Sequence, residues 1–219
     1  IGDSNCVGCG QCAAVCPTGA IIIKNDSHRL WKELNQEDTI AVAQVAPAVR
    51  VAVAKEFGYN GENVMGKIVA ALRRIGFNYI FDTSTAADLT VMEESKEFAD
   101  RLANGGKLPL FTSCCPAWIK YAENEYPEIL PNISTCRSPM QMFASVINEK
   151  FKGEGKKILS VAVMPCTAKK GEAARDEFKD ENGKPLVDFV ITTQELIMMI
   201  KEAGIVFNEI EPEAVDMPF

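Results

Sequence analysis

The 219-residue sequence has a single histidine, two tryptophans and no excess of positive charge. Its 23 lysines and arginines stand against 30 aspartates and glutamates, for a formal net charge of -7. The basic side chains are scattered and offer no footprint for a phosphate backbone, so nucleic acid is not an expected partner. No run approaches the roughly 20 consecutive apolar residues of a membrane-spanning helix, and no basic-then-apolar leader opens the sequence. A soluble, cytoplasmic protein without a membrane span is the expectation. Internal repeats and low-complexity tracts are missing too, and a hydrophobic content of 47% is enough for a folded core. The lone histidine, His28, falls in a polar stretch and reads as a surface residue, not a ligand.

What the sequence does have is eight cysteines. Four lie within residues 6–16 and two are neighbours, Cys114 and Cys115, which is poor geometry for ordinary disulfides. Intracellular metal or redox use is the better reading. "CVGCGQCAAVCP" places Cys6, Cys9, Cys12 and Cys16 in a C-x2-C-x2-C-x3-C-P spacing. Thiolates so spaced can wrap a 4Fe-4S cluster, and the small residues between them let backbone amides approach sulfur; a zinc site or simply packed thiols are the alternatives. In proteins with two such clusters the fourth cysteine serves the other one. Either all four bind one cluster here, or a second cysteine run precedes Ile1 in a longer chain.

The sequence divides into this ferredoxin-like unit, residues 1–32, expected to be incomplete, and a larger α/β portion, residues 33–219. A short apolar run at 20–23 reads as a strand, and a polar connection with a helical turn or two follows it. From residue 39 short apolar runs alternate with amphipathic stretches, the pattern of a mostly parallel sheet flanked by helices. Strands are expected at 39–46, 79–84, 108–113, 158–164 and 188–193. Helices are expected at 63–76, 88–105, 116–126, 138–151 and 193–204. Ala46 and Pro47, Cys114 and Cys115, and Cys166 all follow expected strands. In open parallel sheets, loops beyond the carboxyl ends of strands are where ligands bind.

A bridge between Cys114 and Cys115 would close a strained ring. Both pack as buried thiols, or they do separate jobs, one binding a metal cluster while the other faces a cavity. Pro116 suits the first position of a helix whose positive end lowers a nearby thiol's pKa. "VMPCTAKKGE" sets Cys166 ahead of Lys169 and Lys170. This is a strand with a basic helix start, or a thiolate ligand beside an ammonium that neutralises an anionic cofactor. Glu94, Glu97 and Arg101 share one helix face by their spacing, as a solvated ion-pair stripe or a proton route. Carboxylates in such a route are expected to have pKa values raised by partial burial. Cys136 reads as a packed thiol.

"TSCCPAW" (112–118) and "MPCTAKKGE" (164–172), behind a ferredoxin-type motif, resemble the first two signatures of the iron-only, or [FeFe], hydrogenases. The resemblance spans essentially the whole chain. It implies reversible reduction of protons to H2 at a cubane joined to a di-iron subcluster with CO, cyanide and dithiolate ligands. Cys115 and Cys166 would be cubane ligands, Cys114 the thiol that delivers protons, and Lys169 a hydrogen-bond donor to a cyanide. Ala46, Pro47 and Met164 would line the pocket, and Glu94, Ser134 and Glu97 would form the proton relay. Electrons would arrive through 4Fe-4S clusters from a ferredoxin or a flavin-containing subunit. Met140 stands where relatives commonly carry glutamine. The family's third signature, a C-x3-C in a Gly-rich segment, has no counterpart before "EPEAVDMPF". The remainder of the catalytic domain, or a complementary chain, is therefore expected to supply further ligands. A non-catalytic electron-transfer or sensory relative is one alternative, and a cluster-assembly relative another. Cys114 speaks against the last, because those relatives usually lack the proton-donating thiol.

Overall fold

The computed structural model describes residues 4–218; residues 1–3 and 219, at the outer bounds of the 1–32 and 33–219 units, lie outside the described residues. Four parallel strands form one sheet: β1 (Thr39–Val45), β2 (Tyr79–Asp82), β3 (Lys157–Met164) and β4 (Phe189–Thr192), in the order β2-β1-β3-β4. β1 and β3 pair from Thr39 with Lys157 to Val45 with Val163. The side-chain period of two sends Ala41, Ala43 and Val45 into one core layer and Val42 into the other. Both faces of β1 are covered, as parallel sheets require.

The described α-helices are α1 (Gln11–Val15), α2 (Ser27–Leu34), α3 (Pro47–Glu56), α4 (Met65–Ile75), α5 (Ser84–Asn104), α6 (Pro116–Glu125), α7 (Pro139–Lys150), α8 (Ala168–Ala173) and α9 (Thr193–Glu202). Val49, Ile68 and Leu196 from α3, α4 and α9 fill the larger core layer. Ala86, Phe143 and Ile147 from α5 and α7 fill the other. Local sequence sets the boundaries. Proline opens α3, α6 and α7, where its missing N–H would have had no helical partner. Thr192 and Glu195 close a reciprocal capping box on α9. Gly105, at φ 70°, ends α5 in the left-handed conformation that glycine adopts without steric cost.

The segment expected as a strand at 108–113 is not part of the sheet. Pro109 has no N–H to give a ladder. Phe111 instead pairs with the chain at 132–134: its N–H donates to the Asn132 carbonyl at 2.9 Å, and its own carbonyl accepts from Ser134 N at 2.7 Å. The apolar run at 20–23 is no strand either; Ile22 is 83% exposed, and the run pairs with no strand among the described residues. The polar connection contains an eight-residue helix, α2, whose Leu30 is fully buried in the larger layer. Trp31 Nε1 ties it to Glu202 at 2.9 Å. His28 is exposed, as expected.

The order β2-β1-β3-β4 reverses the direction of winding between β1 and β3, which opens a crevice at their carboxyl ends. Ala46 leaves β1 at this point and donates its N–H to Val163 of β3 at 3.0 Å. On the far layer, fully buried Phe143 meets Phe81 edge to face, with centroids 5.5 Å apart. Phe143→Ala is expected to lower stability by about 3–5 kcal/mol, read as an earlier urea midpoint with an unchanged slope.

Candidate metal centre

Cys115 is the N-cap of α6, in extended conformation, and Pro116 fills the helix's first position. Cys166 lies two residues ahead of α8, next to its N-cap Thr167, and its carbonyl accepts from Lys169 N at 3.3 Å. The two helices pack on each other, so Cys115 and Cys166 stand at the starts of neighbouring helices. Cys114 and Cys115 are exposed and Cys166 is half-buried. Lys169 fastens the two loops together. Its Nζ donates to the Cys114 carbonyl at 2.9 Å and to Glu172 Oε2 at 2.5 Å. Ser138 donates to the other oxygen of the buried Glu172 carboxylate. Met164 and Ala46 are buried beside this edge, whereas Pro47 is exposed and Met140 is packed in the core.

Lys170 points elsewhere, to Asp26 Oδ2 at 3.0 Å, Glu195 Oε1 at 3.0 Å and the Val190 carbonyl at 2.6 Å. Burial opposes ionisation of Asp26, yet its bonds to Lys170 hold the carboxyl below the usual carboxylate range. The consecutive lysines therefore anchor α8 in two directions, one toward the cysteine loop and one toward the sheet and α9.

Cys6, Cys9 and Cys12 line one cavity of about 610 Å³, with Ile21 and Ile23 among its apolar walls and Pro116 and Thr167 on its far side. Gly8 N donates to Cys6 Sγ at 3.4 Å, the kind of amide contact that sulfur ligands of iron–sulfur clusters receive. Gly8 and Gly10 both have positive φ, 72° and 79°, so the loop folds back around the thiols as glycine permits. Cys16 does not line that cavity. The Thr18 hydroxyl, followed by backbone N–H groups of Ile21, Thr18 and Ala20, lowers its thiol from 9.0 to about 7. Among the described residues no three His, Cys, Asp or Glu side chains converge on a single ion. A cluster binds its thiolates through separate irons and does not need that convergence. In donor chemistry and amide contacts the loop fits an iron–sulfur cluster, and the Cys115 and Cys166 helix starts fit two thiolate ligands of another.

The structure brings Ser134 and Glu97 together: the Ser134 hydroxyl donates to Glu97 Oε2 at 2.7 Å. Arg101 donates to Glu97 Oε1 through Nε at 3.1 Å and Nη2 at 2.5 Å, and Thr135 N adds a further bond. The expectation that burial raises the relay carboxylates does not hold at Glu97. Burial does act upward there, but the bonds from Ser134, Arg101 and Thr135 outweigh it and hold the carboxyl below its ordinary value. Glu94 stands apart, with a buried Oε1 that has no hydrogen-bond partner among the described residues. Burial, then the charges of Glu94, Glu93 and Glu97, push the Cys136 thiol up, so it stays protonated.

Sequence reasoning missed Glu172 as a site residue, although its i,i+3 spacing from Lys169 was a usable signal for an ion pair. It also missed the Glu123–Arg175 clamp, in which Arg175 Nη1 and Nη2 bond both oxygens of Glu123 at 3.1 and 2.5 Å. This joins the end of α6 to the segment after α8. No signal for it exists in the sequence, since the partners lie 52 residues apart.

A parallel sheet preceded by a ferredoxin-type cysteine loop defines the class, an iron–sulfur α/β protein. A family model described as the iron only hydrogenase large subunit, C-terminal domain, matches residues 39–219, and a 4Fe-4S binding domain model matches residues 1–22. The chain belongs to the iron-only hydrogenase family. It is 44% identical to NADP-reducing hydrogenase subunit HndD of Solidesulfovibrio fructosivorans, over 100% of this chain and 39% of that protein. It is 34% identical to cytosolic iron-sulfur assembly component 3 of Bos taurus, over 97% of this chain and 48% of that protein. A solved structure of a variant of the [FeFe]-hydrogenase HydA1 from Chlamydomonas reinhardtii superposes with a TM-score of 0.81 at 37% identity, covering 89% of this chain and 51% of that one. The chain thus spans about half the length, or less, of these relatives.

Because its folded pKa is depressed, ionised Glu97 contributes stability that is present above its unfolded pKa and lost as the pH falls through the folded one. Glu97→Gln is expected to be less stable than wild type near neutral pH. The gap should close in acid, measured as urea midpoints of both proteins across that range.

Proposed function

We propose that this chain forms the electron-entry and proton-delivery part of an [FeFe]-hydrogenase that reversibly reduces protons to H2. The observation that carries the reading is Lys169, whose ammonium bonds the Cys114 carbonyl and Glu172 and so fastens the TSCCP loop to the MPCTAKK loop. In this reading Cys6, Cys9, Cys12 and Cys16 hold 4Fe-4S iron, and Cys115 and Cys166 supply two thiolates to the active-site cubane. When bound, the di-iron subcluster with its CO, cyanide and dithiolate ligands supplies the redox chemistry of H2. The protein's own part is to position charge and move protons. Lys169, whose ammonium bonds the Cys114 carbonyl and Glu172, would offer its remaining N–H to a cyanide of that group, and Ala46, Pro47 and Met164 would wall the crevice. The exposed Cys114 thiol is the last proton donor.

Protons reach it from the α5 face. Glu97, fixed by Arg101, is one station. The Ser134 hydroxyl can accept on one side while donating to Glu97 on the other. Glu94, whose Oε1 is buried and unpartnered among the described residues, is the third station. The residue 1–32 unit serves as the electron inlet and residues 33–219 as the first part of the catalytic domain, with α2 as the connection. A ferredoxin or a flavin-containing subunit supplies electrons, and the remaining cubane ligands come from the rest of the catalytic domain or a complementary chain. No described helix is long and apolar enough to cross a membrane. Cytoplasmic placement belongs to the proposal. Likeness to the assembly component supports a second reading, cluster assembly without H2 chemistry.

H2 evolution by the wild type and by one variant tests both readings. With iron and sulfide content retained, Cys114→Ala in the intact protein is expected to lose H2 evolution by about 10²-fold or more, the scale of a lost general acid. Unchanged evolution would remove Cys114 as the donor. A fully iron-loaded wild type that evolves no H2 would favour the assembly reading.

A further inference from the structure

The cysteine loop is fastened to the two helices that begin at the other cluster's thiols. Asn124 Nδ2 of α6 donates to the Asn5 carbonyl at 3.2 Å, and Lys120 Nζ of the same helix to the Ser4 carbonyl at 3.3 Å. The shortest contact comes from the other side, where Thr167 Oγ1 donates to the Gly8 carbonyl at 2.6 Å. Thr167 is covalently adjacent to Cys166, and Gly8 to Cys9. One hydrogen bond therefore links the peptides that carry the two thiols. The packing here is close: a Cβ at Gly10 would lie 2.9 Å from Thr167 Oγ1, and one at Gly8 would be in ordinary contact with Ala168 Cα at 3.5 Å.

We propose that Thr167 is a positioning residue for electron exchange, its hydroxyl seating the Cys6–Cys12 loop against the peptide of Cys166. This rests on the reading that iron–sulfur clusters occupy both sites. In the exchange one electron leaves the reduced cluster at Cys6, Cys9 and Cys12 and arrives at the oxidised cluster held by Cys115 and Cys166. Thr167 makes and breaks no covalent bond and transfers no proton. It fixes separation and orientation, and its hydrogen bond shortens the bonded route between the two sites. Lys120 and Asn124 hold the loop's entry from α6, so loss of Thr167 alone loosens the loop without freeing it.

Thr167→Val keeps the side chain's shape and removes the hydroxyl, and Thr167→Ser keeps the hydroxyl. Two measurements on the intact protein decide the matter. With iron removed, amide hydrogen exchange over residues 8–13 is expected to rise up to about tenfold in the valine variant, the equivalent of one hydrogen bond. The serine variant should match wild type, and exchange in β1 and β3 should not move. With iron loaded and its content equal, freeze-quenched EPR after rapid dithionite reduction should show slower passage of the electron out of the first cluster in Thr167→Val, restored in Thr167→Ser. Wild-type exchange protection in the valine variant overturns the docking role. A loosened loop with unchanged electron passage overturns the electron role. A wild type that binds no iron refutes the underlying cluster reading instead, and the exchange measurement still judges whether Thr167 seats the loop.

Discussion

The parallel pairing of β1 with β3 places Val45 beside Val163, so Ala46 and Met164 emerge together at the carboxyl edge where the sheet's winding reverses. A one-residue slip would exchange the two faces of the strand. Ala41, Ala43 and Val45 would leave the core layer they share with α3, α4 and α9, and Cys166 would leave the crevice. Burial on both faces of β1 specifies the register, and the register specifies the site. The chemistry-bearing loops are short extensions of strands and helices whose positions the core has already settled.

Around that edge, charge is used for placement more than for stability. Lys169 and Lys170 are neighbours in sequence and bond opposite sides of α8, one to the Cys114 carbonyl and Glu172, the other to Asp26, Glu195 and Val190. Buried pairs of this kind often gain little net free energy, because desolvation offsets attraction, but removing one partner strands the other and costs about 3–5 kcal/mol. They discriminate strongly against any arrangement in which α8 has turned. The Glu123–Arg175 clamp acts likewise on the spacing of α6 and α8, and the Phe111 pairing with 132–134 holds Ser134 against Glu97 on α5.

The parallel α/β layout and the five long helices expected from residue 63 onward were legible because their apolar periods are long and strongly marked. The error at 108–113 arose because an apolar run declares burial, not a partner. Pro109 was the visible warning, and Asn132 and Ser134 became the partners instead. α2 was under-read because only Leu30, Trp31 and Leu34 are apolar among polar neighbours, and Leu30 is buried by tertiary contact with the sheet. The partners of Glu97 were legible, Arg101 by its i,i+4 spacing and Ser134 by the resemblance, but not that their bonds, with Thr135 N added, outweigh burial and depress its carboxyl. Thr167 was invisible because its acceptor is a main-chain carbonyl, which every residue carries.

The convergence of two cluster sites on one seam is tested most directly by EPR of the dithionite-reduced intact protein, prepared without oxygen, in wild type and in Cys166→Ser. Two magnetically interacting iron–sulfur signals in wild type are predicted, with the interaction lost and the signal from the Cys6–Cys12 loop retained in the variant. A wild-type spectrum from one isolated cluster, unchanged by Cys166→Ser, would contradict it.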